Sequence, residues 1–216
     1  MSPVIKVCGI QTVAEALGVI EAGANTIGML LGVPDYVGDR ITTEIAKQIV
    51  VSVPEGIRTV MVTHLLDVNE IIKIANYTRV TAIQIHNVLD TVGIEQLRQK
   101  LPDLELIKAI HIVDNSAIEQ AKEYEPYSDM ILLDTKVKDR IGGTGQTHDW
   151  NISKRIVKEL SIPVILAGGL NPQNVNEAIS TVKPAGIDAN SGLENEEGLK
   201  DFEKIRLFAR EAGLLS

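Results

Sequence analysis

One thiol, one carboxyl at the end of an apolar run, and a set of glycine-rich turns are the parts of this chain best suited to chemistry. Cys8 is the only cysteine and stands directly before Gly9. A thiol whose pKa falls from its ordinary value of ~8.5 can act as base or nucleophile; otherwise a free cysteine is a small buried hydrophobe. Asp134 closes the run Met130-Ile131-Leu132-Leu133. A carboxyl there is costly unless it is hydrogen-bonded or used. Partial burial is expected to raise its pKa, which suits a proton donor; the structural alternative is that it caps a nearby loop. Gly168-Gly169 and Asn190-Ser191-Gly192 either make tight turns or let successive N–H groups converge on phosphate oxygens, since glycine admits positive φ and close approach. A further run, Gly142-Gly143-Thr144-Gly145, falls in a stretch over 136–146 that is expected to form a mobile loop able to cover a site.

These residues matter only if the fold gathers them. Short β-branched runs at 5–7, 26–31, 59–63, 82–86, 106–110, 130–134, 164–167 and 186–188 alternate with amphipathic segments at 13–22, 44–51, 68–75, 94–100, 116–122, 152–159, 173–182 and 199–212. Thr12 with Glu15 reads as a capping box, Asn171-Pro172 as an N-cap before a first-turn proline, and Thr147 or Asp149 as the cap of the sixth helix. Eight βα units without an early Gly-x-Gly-x-x-Gly turn predict a single (β/α)8 barrel domain over 1–216 rather than an open doubly wound sheet. Active sites of such barrels lie at the strands' C-terminal ends. Those ends read Cys8-Gly9, Leu31-Gly32, His64, His86-Asn87, His111, Asp134-Thr135, Gly168-Gly169 and Asn190-Ser191-Gly192. The last two follow strands seven and eight, where this barrel commonly binds phosphate.

Composition narrows the partners. At 216 residues, 44% apolar and 23% charged, with two Phe, one Trp and four Tyr, the chain has an aliphatic core of ordinary size. A net charge of −8 argues against nucleic acid. It leaves room for a small phosphorylated ligand held by backbone N–H groups. One cysteine allows no internal disulfide. The first ten residues do not read as a secretory signal, and apolar runs of about five to seven residues fall short of the ~18 that span a bilayer. The expectation is a cytoplasmic monomer or homodimer with no membrane partner.

Taken together, Lys6-Val7-Cys8-Gly9-Ile10, Gln84-Ile85-His86, Leu132-Leu133-Asp134-Thr135, Gly142-Gly143-Thr144-Gly145, Asp149-Trp150, Gly168-Gly169-Leu170-Asn171-Pro172 and Ser191-Gly192-Leu193-Glu194 resemble the phosphoribosylanthranilate isomerase family from first strand to last helix. The resemblance implies an Amadori rearrangement without metal or cofactor. It makes Asp134 the general acid that opens the furanose ring and Cys8 the general base that takes the C2′ proton. Arg40 would meet the anthranilate carboxylate, a use suited to a planar bidentate donor. Gln84 and His86 would line the substrate. Gly145, Gly168, Gly169, Ser191 and Gly192 would hold the 5′-phosphate.

The chain departs from the family pattern within the pocket. Asp39 precedes Arg40; His64 and His111 replace aromatic or small positions after strands three and five; Asn87 follows His86 where the family has glycine; His148 stands for a phenylalanine; Asn190 replaces a serine. All four histidines are expected at the active rim, which raises a paralogue acting on a more polar aminosugar phosphate. A second alternative is metal assistance through His64, His86 and His111, since neutral imidazoles suit zinc; against it, strand parity is read as turning His111 out of the barrel. A third is a catalytically silent phosphate-binding barrel, which would have no need of both Cys8 and Asp134.

Overall fold

The computed structural model describes residues 3–34, 37–137, 140–141 and 147–213. Eight parallel strands close on themselves: β1 (Val4–Val7), β2 (Thr26–Leu30), β3 (Arg58–Thr63), β4 (Ala82–Ile85), β5 (Glu105–Ile112), β6 (Met130–Val137), β8 (Val164–Leu166) and β9 (Gly186–Ala189). Each pairs with its neighbours in that order, and β9 pairs back onto β1. The helices outside the ring are α1 (Val13–Glu21), α2 (Thr43–Ser52), α3 (Val68–Thr78), α4 (Thr91–Lys100), α5 (Ser116–Tyr124), α6 (Trp150–Glu159), α7 (Val175–Val182) and α8 (Phe202–Glu211). The predicted barrel is therefore the observed one.

Local chemistry sets the boundaries. The Thr12 Oγ1 accepts from the Glu15 N–H at 3.1 Å, and the Asp149 carboxylate from the Asn151 N–H at 2.9 Å, starting α1 and α6. Asn171 does not cap α7 as expected. Its Oδ1 instead accepts from the Gln173 and Asn174 N–H groups, making a turn that delays the helix to Val175. The expected loop over 136–146 is also corrected in part. β6 runs on to Val137 and meets β7 (Arg140–Ile141) in an antiparallel pair, Lys136 opposite Ile141.

Strands buried on both faces sort their residues by parity. One parity meets the helices, as Ile27, Met61, Ile83 and Ile131 do. The other fills the barrel with Val4, Val60, Ala82, Ile107, Met130 and Leu132, all buried. Following the inner parity towards the C-terminal ends leads to Lys6 and Cys8, to Gln84 and His86, to Ala109 and His111, to Asp134, and to Asp188 and Asn190. The fold thus brings the polar residues to one end by register alone. His111 turns inward, contrary to the expectation from the sequence. Lys108 lies on the other parity of β5, with Leu106 and Ile110, and the register of β5 against β6 sets His111 opposite Asp134.

Candidate active site

On one side of the barrel mouth, Asp134 is 8% exposed and faces a wall of imidazoles. His86 Nε2 lies 3.4 Å from Asp134 Oδ2, and the Thr135 N–H donates to Asp134 Oδ1 at 2.8 Å. His64 stacks on His86 with centroids 5.3 Å apart, and His111 meets His86 edge-on at 4.9 Å. Burial pushes the Asp134 carboxyl up, yet His86, His111 and the Thr135 N–H outweigh it and hold the group below the usual carboxylate range. This corrects the expected upward shift, because the opposing groups arrive from β4 and β5 and are not visible around Asp134 in sequence. His64 is drawn down to about 4, first by burial and then by its two histidine neighbours. His86, His111 and Asp134 offer ligand atoms within 4.8 Å of one another; His64 is not in that group.

Gln84 is 1% exposed and sits one inner-parity step below His86, with its Nε2 2.9 Å from His86 Nδ1. It stands beneath His86, and its Oε1 is buried without a hydrogen-bond partner. A donor at Nδ1 leaves the His86 proton on Nε2, facing Asp134.

Across the mouth, Cys8 is 9% exposed at the end of β1. Below it lies Lys6, fully buried, whose Nζ is 2.7 Å from Asp188 Oδ2 on the register-paired β9. Gly28 on β2 makes the space for both: a Cβ there would lie 2.9 Å from Cys8 Sγ and 3.0 Å from Lys6 Nζ. Burial pushes the Cys8 thiol up; Lys6 and Lys200 pull against it, and Asp188 adds to it. The net direction is upward, so the free site holds its proton on sulfur. For the ion pair the two ends pull differently. Burial pushes the Asp188 carboxyl up, whereas Asp188 and Cys8 outweigh burial at Lys6 and hold it charged. The 2.7 Å separation supports the charged pair. Neither Lys6 nor Asp188 was assigned a role from sequence, although Lys6 is two residues from Cys8 and therefore on its face of β1.

Between these sides lie the glycine turns. Gly168 and Gly169 have φ of +85° and +69°, and a Cβ on Gly168 would strike the Thr135 backbone nitrogen at 2.5 Å. A Cβ on Gly192 would lie 2.1 Å from the Leu170 oxygen, so the turns after β8 and β9 touch through glycine. Ser191 is exposed at the start of a short 3₁₀ turn, Ser191–Leu193. Gly145 lies outside the described residues. Arg40 is exposed beside β2, its backbone paired with Leu30. Asn190 Nδ2 donates to Asp39 Oδ2 at 2.8 Å, tying the loop after β2 to the end of β9. Lys200 Nζ donates to Asn190 Oδ1 and to Glu194 Oε1.

His148 does not join the other histidines. Its Nδ1 lies 2.9 Å from Thr135 Oγ1 and its Nε2 2.6 Å from Ser153 Oγ, joining the outer parity of β6 to α6. Burial draws it down to about 4. The expectation of four histidines in the pocket becomes three in the mouth and one in the scaffold.

Among the described residues no helix is long and apolar enough to cross a membrane. A family profile described as N-(5'phosphoribosyl)anthranilate (PRA) isomerase matches residues 5–211. N-(5'-phosphoribosyl)anthranilate isomerase 2 of Methanosarcina mazei is 42% identical over 210 residues, covering 96% of this chain and 93% of that protein. The isomerase of Methanocella arvoryzae is 38% identical over 205 residues, covering 94% and 95%. The crystal structure of phosphoribosyl anthranilate isomerase from Thermotoga maritima superposes with a TM-score of 0.88 at 30% identity over the whole of both chains. A crystal structure of such an isomerase with reduced 1-(o-carboxyphenylamino)-1-deoxyribulose 5-phosphate reaches 0.85 at 29% identity, again over both chains in full.

Proposed function

This chain belongs to the N-(5'-phosphoribosyl)anthranilate isomerase family, and from that premise we propose that it converts N-(5'-phosphoribosyl)anthranilate to 1-(2-carboxyphenylamino)-1-deoxyribulose 5-phosphate. The reading rests on one arrangement above all: a thiol on β1 and a carboxyl on β6, both on the inner parity at the same end of the barrel, with paired glycine turns on the strands between them. Family membership favours this reading over a metal-assisted paralogue or a silent barrel.

The roles are those that the family resemblance implies. Asp134 delivers a proton to the ring oxygen; the C1′–O bond breaks and the nitrogen lone pair forms a Schiff base. Cys8 then removes the C2′ proton, giving an enolamine. Protonation at C1′ and loss of the C2′ hydroxyl proton yield the ketose, with no net gain or loss of protons. In the free site the carboxyl is ionised and the thiol neutral, so before reaction Cys8 must give up its proton and Asp134 must gain one, an exchange that leaves the total charge of the two groups unchanged. A phosphate and a carboxylate entering the same mouth make a second anion there costlier and push Asp134 up. Arg40 meets the anthranilate carboxylate, and the Gly168-Gly169 and Ser191-Gly192 turns hold the phosphate. His86 positions the acid, and Gln84 fixes the His86 tautomer.

The test is turnover of N-(5'-phosphoribosyl)anthranilate by the purified chain, together with rescue of a tryptophan auxotroph lacking this isomerase. Cys8→Ala and Asp134→Asn should each fold and lose turnover by at least about 10³-fold, beyond the 10²–10⁴-fold contribution typical of general acid–base groups at its low end. Near-normal turnover in either variant removes that residue from its role. A folded parent that neither turns over the substrate nor rescues growth removes the function.

A further inference from the structure

Buried thiols make poor bases unless something offsets the cost of the thiolate. Cys8 is buried, so its strength as a base depends on the charges around it. The charged groups that act on it are Lys6 on its own strand, Asp188 on β9 and Lys200 beyond β9. Asp39 approaches the adjacent Gly9, and Asp134 and His86 reach Asp188 from across the barrel. Of these, Lys6 alone shares the Cys8 pocket. Its Nζ and the Cys8 Sγ both crowd the space above Gly28, within 3.0 Å of where a single methyl carbon would stand. Lys6 has no exposed surface, and its other partner is one oxygen of Asp188, at 2.7 Å. The second Asp188 oxygen is buried without a partner. Among the described residues, an ammonium so enclosed has two anions to share: the Asp188 carboxylate and the thiolate that forms when Cys8 gives up its proton.

We propose that Lys6, anchored by Asp188, is the positioning residue that stabilises the Cys8 thiolate, and that Asp188 tempers how strongly it does so. The proposal rests on Cys8 as the base of the reaction proposed above, but its physical content, the coupling of three charges, can be read without turnover. Cys8 is the only thiol, so the rate of alkylation by iodoacetamide against pH reports its ionisation alone. In the full chain, Lys6→Met removes the stabilising cation and should move the alkylation midpoint up by at least about one pH unit. Asp188→Asn frees the ammonium for the thiolate and should move it down by a comparable amount. The acid limb of kcat/KM should follow in the same two directions, and a merely structural pair would not split the variants by sign. If Lys6→Met does not fold, the double variant Lys6→Met/Asp188→Asn carries the test, with an upward midpoint expected because the Lys6 influence is the larger.

Midpoints unchanged within about 0.3 unit, or moved in the same direction by both single variants, overturn the proposal; so does an unmoved double variant. Failure of the general-base role is separable. In that case Cys8→Ala keeps turnover while the opposite alkylation shifts persist, and the coupling stands.

Discussion

Two lysines of this barrel are almost equally hidden, Lys6 at 0% and Lys108 at 4% exposed, and they have opposite electrostatic fates. Lys6 points into the barrel at Asp188 and Cys8 and is held above the ordinary lysine range. Lys108 has the outer parity of β5. Its Nζ donates to the Asn87 and Ala109 carbonyls at 2.8 and 2.6 Å and lies 4.9 Å from the Tyr124 ring centroid. Burial draws it down to about 8. Carbonyl dipoles and an aromatic face satisfy its hydrogen bonds without supplying a counter-charge. Burial therefore does not decide a lysine's charge; the presence of a carboxylate within hydrogen-bonding distance does. The inner lysine is disposed to act on its neighbours, and the outer one to tie β5 to the segment after β4, where Asn87 Nδ2 in turn holds the His64 and Leu65 carbonyls.

The largest effect that could break this contrast is on turnover. Lys6→Met should lower kcat/KM by about 100-fold or more, and it should destabilise the fold by about 3–5 kcal/mol because it strands a buried carboxylate. Lys108→Met should leave kcat/KM within about threefold, since it touches no group that faces the substrate. Equal losses from the two would mean that both are scaffold. Gly28→Ala sharpens the point without altering a charge. Its methyl would compete with Cys8 Sγ and Lys6 Nζ for one space. Driving sulfur and ammonium apart should cost about 10–100-fold in kcat, with only about 1–3 kcal/mol of overpacking in a chemical melt. Full activity in Gly28→Ala would show that their spacing is unimportant.

What could be read from sequence and what could not divide along the same line. The eight βα units are written locally, in β-branched runs and cap residues, so the barrel and the positions of Cys8 and Asp134 follow without tertiary information. The Lys6–Asp188 pair joins residues 182 positions apart and exists only once β9 pairs with β1. The Asp134 shift fails for the same reason. Its own neighbours Leu133 and Leu132 predict a raised carboxyl, and the histidines that reverse the sign come from β4 and β5. Gln84 stands two residues before His86 at the end of one strand, so its place beneath that ring follows from strand parity alone. His111 could have been placed only by the register of β5 against β6, which sets it opposite Asp134.

The smallest effect is a pH dependence that should belong to Lys108 and not to Lys6. A lysine drawn down to about 8 in the fold, but titrating near ~10.4 when unfolded, binds fewer protons folded than unfolded between those values. Stability then rises with pH across that window. Below pH 8 both states are protonated and the burial penalty is present in full; above ~10.4 both are neutral and it is gone. Other lysines and tyrosines titrate in the same range, so the useful quantity is the stability difference between the parent and Lys108→Met in urea at pH 7.5 and pH 10. The parent should gain on the variant by about 1–3 kcal/mol across that interval, as a shift of this size implies at ~1.4 kcal/mol per unit. A flat difference would mean that the Asn87 and Ala109 carbonyls and the Tyr124 ring compensate the charge as fully as Asp188 does for Lys6. The contrast between inner and outer lysine would then be one of position alone.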